Sequence, residues 1–214
     1  MTPVTIDEIA LADDPERWEA LGFDVSAATV QIGAVRIVLA GADAGRGIVG
    51  WSLRNPGADN LDGLPTSAST KPVPGATPAH PNGIVAIDHM VAMSPDLDCS
   101  VQALQAAGLD LRRIREQPTP AGAPRQAFFR LGEVILEVVQ EPDSAIATRP
   151  DGQKGPARFW GLALLSDDLP RTVERLGEHV SEIRPAVQPG RQIATLKRSA
   201  GLAVPVALMS RAVG

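Results

Sequence analysis

His89 and Glu137 are the residues of this chain best placed to do chemistry. His89 lies in Ile87-Asp88-His89-Met90-Val91-Ala92-Met93, an apolar run that leads straight into Ser94-Pro95-Asp96, a helix start. Glu137 interrupts a second apolar run, Val134-Ile135-Leu136-Glu137-Val138-Val139. An imidazole or a carboxylate buried without a partner is costly, so each needs a hydrogen bond, an ion pair or a metal. If both strands belong to one sheet, the pair can share its inner face, where a divalent metal or a polar substrate would serve both. The plainer alternatives are a strand histidine satisfied by a backbone carbonyl or by Glu137, and a glutamate paired with Arg125 or Arg130.

Other groups weigh less. Arg191, in Gln188-Pro189-Gly190-Arg191-Gln192, is held by a Pro-Gly turn. It could grip an anionic ligand bidentately, or be an ordinary edge charge that discourages aggregation. Trp160 and Trp51 sit in strand-like runs and are candidates for a pocket wall, while Trp18 falls in a helical pattern and reads as core. His80 is in a loop just before the His89 strand, either as a lid or as loop surface, and His179 falls on the polar side of a helix, in solvent. Cys99, the single cysteine, permits no intramolecular disulfide and reads as a small buried hydrophobe.

Composition narrows the function classes. The chain has 214 residues, 44% hydrophobic and 21% charged, with a formal net charge of -5. The acidity and scattered Lys and Arg speak against nucleic acid as a partner, and 3% aromatic content leaves little for base stacking. The N-terminal residues Met1 to Glu8 lack a basic and an apolar signal region, and no run approaches the roughly 18 apolar residues of a membrane span. The expectation is a cytoplasmic protein with no membrane partner.

The elements that would carry His89 and Glu137 repeat. Ile84 to Met93 reads as a strand; Leu97, Val101, Leu104 and Ala107 recur at helical spacing, and Gly108 suits the helix end. Strands follow at 110–115, 126–131 and 134–140, giving the order β-α-β-β-β. A second copy starts at Phe159 to Leu165, turns at Ser166-Asp167-Asp168, continues through a Val173, Leu176, Val180 stripe, and ends with strands at 182–184, 192–196 and 204–209. Ser94 registers with Ser166, Leu97 with Leu169, and Gly132 with Gly201. A weaker copy opens the chain, with Ile6-Asp7-Glu8 against Ile87-Asp88-His89, and Gly47 to Leu53 begins a fourth copy that is cut short. Glu8 there stands at the His89 position with Val38 as its fourth-strand counterpart, so no site is indicated. Residues 1–54 thus form an incomplete module, 55–83 a Pro/Gly/Ser/Thr-rich linker or surface loop, and 84–214 a domain of modules 84–141 and 156–212.

Paired β-α-β-β-β units with His in the first strand and Glu in the fourth resemble the vicinal oxygen chelate superfamily of glyoxalases, extradiol dioxygenases and bleomycin-resistance-type binding proteins. The resemblance covers 84–212 well and 4–54 poorly. It implies an α+β fold, a cup-shaped half-barrel of mixed sheet with its helices outside. It also implies a divalent metal (Zn, Fe, Mn or Ni) held from the first and fourth strands of both modules. His89 and Glu137 match two of those positions, but Gly161 and Val206 or Ala207 stand at the other two. Two protein ligands fall short of a catalytic metal site, so no cofactor is assigned. The leading expectation is a glyoxalase-like protein binding a small organic metabolite, hydrophobic or anionic, among His89, Glu137, Trp160 and Arg191. The alternatives are a metal-dependent lyase, isomerase or dioxygenase using His89 and Glu137, or a structural subunit that completes its cup as a homodimer.

Overall fold

The computed structural model describes residues 2–75, 79–119, 122–148 and 155–212. Its N-terminal part contains β1 (Thr5–Leu11), α1 (Pro15–Ala20), β2 (Thr29–Ile32), β3 (Val35–Leu39), β4 (Ile48–Arg54) and β5 (Thr66–Ser69). Next come β6 (Ile84–Ser94), α2 (Leu97–Ala106), β7 (Asp110–Arg115), β8 (Gln126–Leu131), β9 (Val134–Gln140) and the short α3 (Asp143–Ala147). The chain continues with β10 (Arg158–Ser166), α4 (Leu169–Leu176), β11 (Arg184–Pro185), β12 (Gln192–Thr195) and β13 (Val206–Met209). The architecture is α+β, with two open mixed sheets: a five-stranded one in the order β2-β3-β1-β4-β5 and an eight-stranded one in the order β11-β12-β13-β10-β6-β9-β8-β7.

Local chemistry explains why strand passes to helix twice in the same way. Asp96 accepts a hydrogen bond from the Cys99 amide at 3.2 Å, and Asp168 accepts one from the Arg171 amide at 3.1 Å, each capping its helix. Just before the caps, Ser94 Oγ meets Ser100 Oγ at 2.6 Å and Ser166 Oγ meets Thr172 Oγ1 at 2.8 Å. The matched serines seen in the sequence are therefore matched contacts. Gly132 and Gly201, also matched, both adopt left-handed backbone at φ +72° and +75°.

The two halves of the eight-stranded sheet share one plan. In the first, β6 pairs parallel with β9; in the second, β10 pairs parallel with β13; and β6 and β10 join the halves as antiparallel neighbours. The five-stranded sheet keeps the plan in shortened form. There β1 pairs parallel with β3, β4 pairs parallel with β5, and β1 with β4 antiparallel. So β5, inside the stretch expected to be linker, stands beside β4 as β13 stands beside β10. The match extends to single residues. Trp51 N donates to Pro65 O at 3.1 Å, and Leu162 N donates to Pro205 O at 3.0 Å. In both places the preceding residue is glycine, and a Cβ on Gly50 or Gly161 would approach that carbonyl oxygen at 3.2 or 2.8 Å. The truncated fourth copy thus retains its first and last strands.

A continuous core joins the two sheets. Ile9, Trp18, Ile37 and Leu53 on the N-terminal side and Ile84, Met90, Leu136 and Leu164 on the other all belong to it. Leu97, Val101 and Leu104 of α2 are buried, as are Val134, Leu136 and Val138 of β9. That leaves the alternate β9 residues, Glu137 and Val139, to line the concave face. Polar contacts tie the N-terminal part on: the Asn82 side chain donates to Leu21 O at 2.9 Å, and the Ala203 amide donates to buried Asp13. Asp7, fully buried, accepts from Arg36, Arg54 and the Ser69 hydroxyl, which anchors the end of β5.

Some expected elements differ. Gly177 takes φ +55° and ends α4 early, so Val180 leaves the helix and bridges to Leu196. The strand expected at 182–184 shrinks to β11, and the short helix α3 lies in the stretch between the two modules.

Gly161→Ala places a methyl group 2.8 Å from Pro205 O, inside the contact distance of real Cβ atoms, whereas Gly50→Ala meets Pro65 O at 3.2 Å. The first variant is expected to lose about 1–3 kcal/mol and the second less. Urea unfolding midpoints decide it; equal losses would count against the difference in closeness.

Candidate functional site

The site lies on the concave face of the eight-stranded sheet, in a cavity of about 1050 Å³. Strand register builds it. The β6–β9 pairing sets Glu137 beside Val91, one inward-facing position along from His89, and brings His89 Nε2 to 3.6 Å from Glu137 Oε2. His89 Nδ1 lies 2.8 Å from Asp88 Oδ2, and the other Asp88 oxygen accepts from Arg191 at 2.6 Å. Arg191 Nε also donates to Ser210 O at 2.9 Å. On the far side of the pair, the Gln126 amide donates to Glu137. The result is a chain of contacts, Arg191–Asp88–His89–Glu137–Gln126, that fixes the imidazole between two carboxylates.

Burial dominates the electrostatics of Glu137. It pushes the carboxyl above its ordinary pKa, and His89, Gln126, Arg113 and Arg115 only partly oppose it. Burial would also raise Asp88, but hydrogen bonds and charge from His89 and Arg191 outweigh it and hold that carboxyl below its ordinary value. Asp88 is thus the charged partner, and Glu137 is the carboxyl that holds a proton more readily.

Of the four residues singled out in the sequence, His89, Glu137 and Trp160 line the cavity, with Trp160 half-exposed at 49%. Arg191 lies outside the lining and acts on the site through Asp88. Neither arginine named as a partner for Glu137 fills that role: Arg125 pairs with Glu116 and Asp98, and Arg130 donates to Gly132 O. Asp88, Gln126, Arg113 and Arg115 were missed. The alternation of β7 and β8, which puts Arg113, Arg115, Gln126 and Phe128 on the face of Glu137, was the signal that could have found all but Asp88, which stands on β6.

Other expectations need correction. His80 is neither lid nor loop surface; it is buried, accepts from the Asp24 amide through Nδ1 at 3.1 Å, and has Nε2 3.1 Å from Gln31 O. It serves as a buried tie between loop and N-terminal sheet. His179 is partly buried, with Nδ1 enclosed and without a hydrogen-bond partner among the described residues, because the chain turns inward after Gly177. Cys99 is exposed, since the buried stripe of α2 falls on Leu97, Ser100, Val101 and Leu104. Trp51 is buried in an edge contact with Phe159 and donates to Thr66 Oγ1 at 2.7 Å.

A divalent metal of the kind the resemblance implies does not fit this donor set. Among the described residues no three His, Cys, Asp or Glu side chains come together as a metal site. The positions that would complete one are Gly161, where a side chain would strike Pro205 O, and Ala207, which pairs with Ala163 as Glu137 pairs with Val91. His89 Nδ1 faces Asp88, and Gln126 already occupies one oxygen of Glu137.

With that geometry established, solved structures place the architecture. The chain aligns over 98% of its length with a xylose isomerase-like TIM barrel/4-hydroxyphenylpyruvate dioxygenase fusion protein, at 13% identity and a TM-score of 0.60, and spans 49% of that protein. This is the vicinal oxygen chelate fold. Methylmalonyl-CoA epimerase from Mycobacterium tuberculosis is also similar, at 16% identity and a TM-score of 0.47 over 61% of this chain and 91% of that one. A methylmalonyl-CoA epimerase in complex with methylmalonyl-CoA and NH4+ aligns at 17% identity and a TM-score of 0.47, over 61% of this chain and 96% of that one. No protein-family model and no curated protein matches the sequence. A fold of this kind hosts many chemistries, so it leaves the reaction to be argued from the site.

A carboxyl with a raised folded pKa contributes most to stability below its unfolded pKa, and loses that contribution as pH rises through the folded one. Glu137→Gln removes the charge that burial opposes. The variant is expected to melt higher than the parent at about pH 7, and by a smaller margin at about pH 4, where the parent carboxyl is substantially protonated. A margin that grows on acidification would contradict the direction given for Glu137.

Proposed function

We propose that the chain is a glyoxalase-like binding protein that holds a small organic molecule in the cup of its eight-stranded sheet without a catalytic metal. One observation carries this: the polar groups at the cup floor hold one another in place, while the rest of the lining is roomy and largely apolar. His89 and Glu137 meet across 3.6 Å, Asp88 lies against His89 Nδ1, and Gln126 donates to Glu137 while its own side-chain oxygen has no partner among the described residues. Around them stand Val91, Met93, Phe128, Trp160, Ile193 and Met209. A few fixed polar groups within apolar walls are what a small-molecule pocket needs for orientation and affinity.

The metal-dependent alternatives need a third and fourth donor, and Gly161 and Ala207 offer none. In the binding protein, Glu137, set in place by His89, and the free side-chain oxygen of Gln126 orient the ligand through hydrogen bonds, and no covalent bond changes. Among the described residues no helix is long and apolar enough to cross a membrane.

Elemental analysis of protein purified without added metal is expected to find zinc, iron, manganese and nickel well below one per chain. His89→Ala should keep the fold, by circular dichroism and melting, while weakening retention of a co-purifying organic ligand in native mass spectrometry. Tight one-to-one metal that survives chelator dialysis and disappears in His89→Ala would overturn the proposal.

A further inference from the structure

Several arginines outside the cup are held in ion pairs. Arg36 and Arg54 bind Asp7, Arg125 binds Glu116, Arg158 binds Glu141, and Arg191 binds Asp88. Arg113, Arg115 and Arg184 line the cavity and form no salt bridge among the described residues. Among the described residues Glu137 is the only acidic side chain in that lining. A protein of net charge -5 therefore carries a cup lined, among the described residues, by three arginines and one carboxylate.

Register shows where two of the arginines point. Arg113 pairs with Phe128, Phe128 with Glu137, and Glu137 with Val91, so the four stand in one row across the sheet on the same face. The next inward-facing row runs Arg115, Gln126, Val139, Met93. Side chains two apart on a strand project to the same side about 6–7 Å from one another, close enough for two guanidiniums to serve one anionic group. Arg113 lies over the Phe128 ring at 4.6 Å, which holds its guanidinium against the cup wall. Arg112, on the other face of β7, pairs with Asp110. That outward pair accounts for protection of the edge strand, which an inward pair does not provide. Arg184 reaches the same cavity from β11, the opposite edge of the sheet.

We infer that Arg113 and Arg115 form an anion-binding subsite of the cup, and that its ligand is an elongated organic anion, a carboxylate or phosphate joined to an apolar or aromatic body. The charged group rests on β7, two strands from Glu137, so the backbones that hold its two ends stand about 10 Å apart. The body lies over Phe128 and Val91 toward Trp160, and a polar function meets His89 and Glu137 at the floor. This rests on the cup being a small-molecule site.

Isothermal calorimetry with naphthoate and its uncharged amide, naphthamide, tests both statements separately. For the parent protein the acid is expected to bind at least about tenfold tighter than the amide, the equivalent of about 1.4 kcal/mol. The variant carrying Arg113→Gln and Arg115→Gln should bind both compounds alike, near the affinity of the amide. Arg112→Gln should keep the preference. If acid and amide bind the parent equally, or if the double variant keeps the preference while its melting temperature is unchanged, the anion subsite is wrong and the cup still stands as a binding site. If neither compound binds the parent, both readings fall.

Discussion

Parallel pairing of the first strand of each unit with its last is the constraint on which the concave face depends. In the first unit of the larger sheet, it sets Glu137 of β9 beside Val91 of β6 and so brings Glu137 against His89, from residues 48 positions apart. A shift of one residue would turn His89 or Glu137 into the apolar layer under the helices, where neither has a partner. The same pairing in the second unit presents Ala207 beside Ala163. One construction, built twice, therefore yields a polar centre in one half of the cup and an apolar one, at Ala163 and Ala207, in the other.

The pairing is itself held by contacts that leave little choice of residue. Leu162 N donates to Pro205 O, Trp51 N to Pro65 O, and glycine precedes each donor because the carbonyl comes too close for a side chain. Gly161 is accordingly more than a lost ligand. A histidine or glutamine at that position would collide with β13, so the missing metal donor and the close strand pairing are two sides of one packing arrangement. The absence of room there favours direct hydrogen bonding at the cup floor over metal coordination.

Much of this was legible from sequence, for physical reasons. Strands at 110–115, 126–131 and 134–140 and the helix from Leu97 follow from clear periodicity and strong stops, Asp96 at one end and Gly108 at the other. Where local signals compete with tertiary ones, reading failed. The residues Thr66 to Ser69 look like linker because their order comes from pairing with β4 and from the Ser69 contact to Asp7, neither of which is local. Partners of Glu137 were sought among nearby arginines, whereas Arg125 is drawn off by Glu116 and the lining arginines sit on the next strand but one. Asp88 was passed over beside its histidine, although its contact to Arg191 spans 103 positions and closes the site from the second unit.

On the proposed reading, the cup holds its ligand with paired side chains and arginines rather than with a metal. A crystal structure of the protein as purified, with anomalous data collected at the zinc, iron, manganese and nickel edges, examines that claim at the atoms concerned. The account predicts no anomalous peak between His89 Nε2 and Glu137 Oε2, and elongated organic density running from those atoms along Phe128 toward Arg113. A strong anomalous peak bound by both side chains would contradict it.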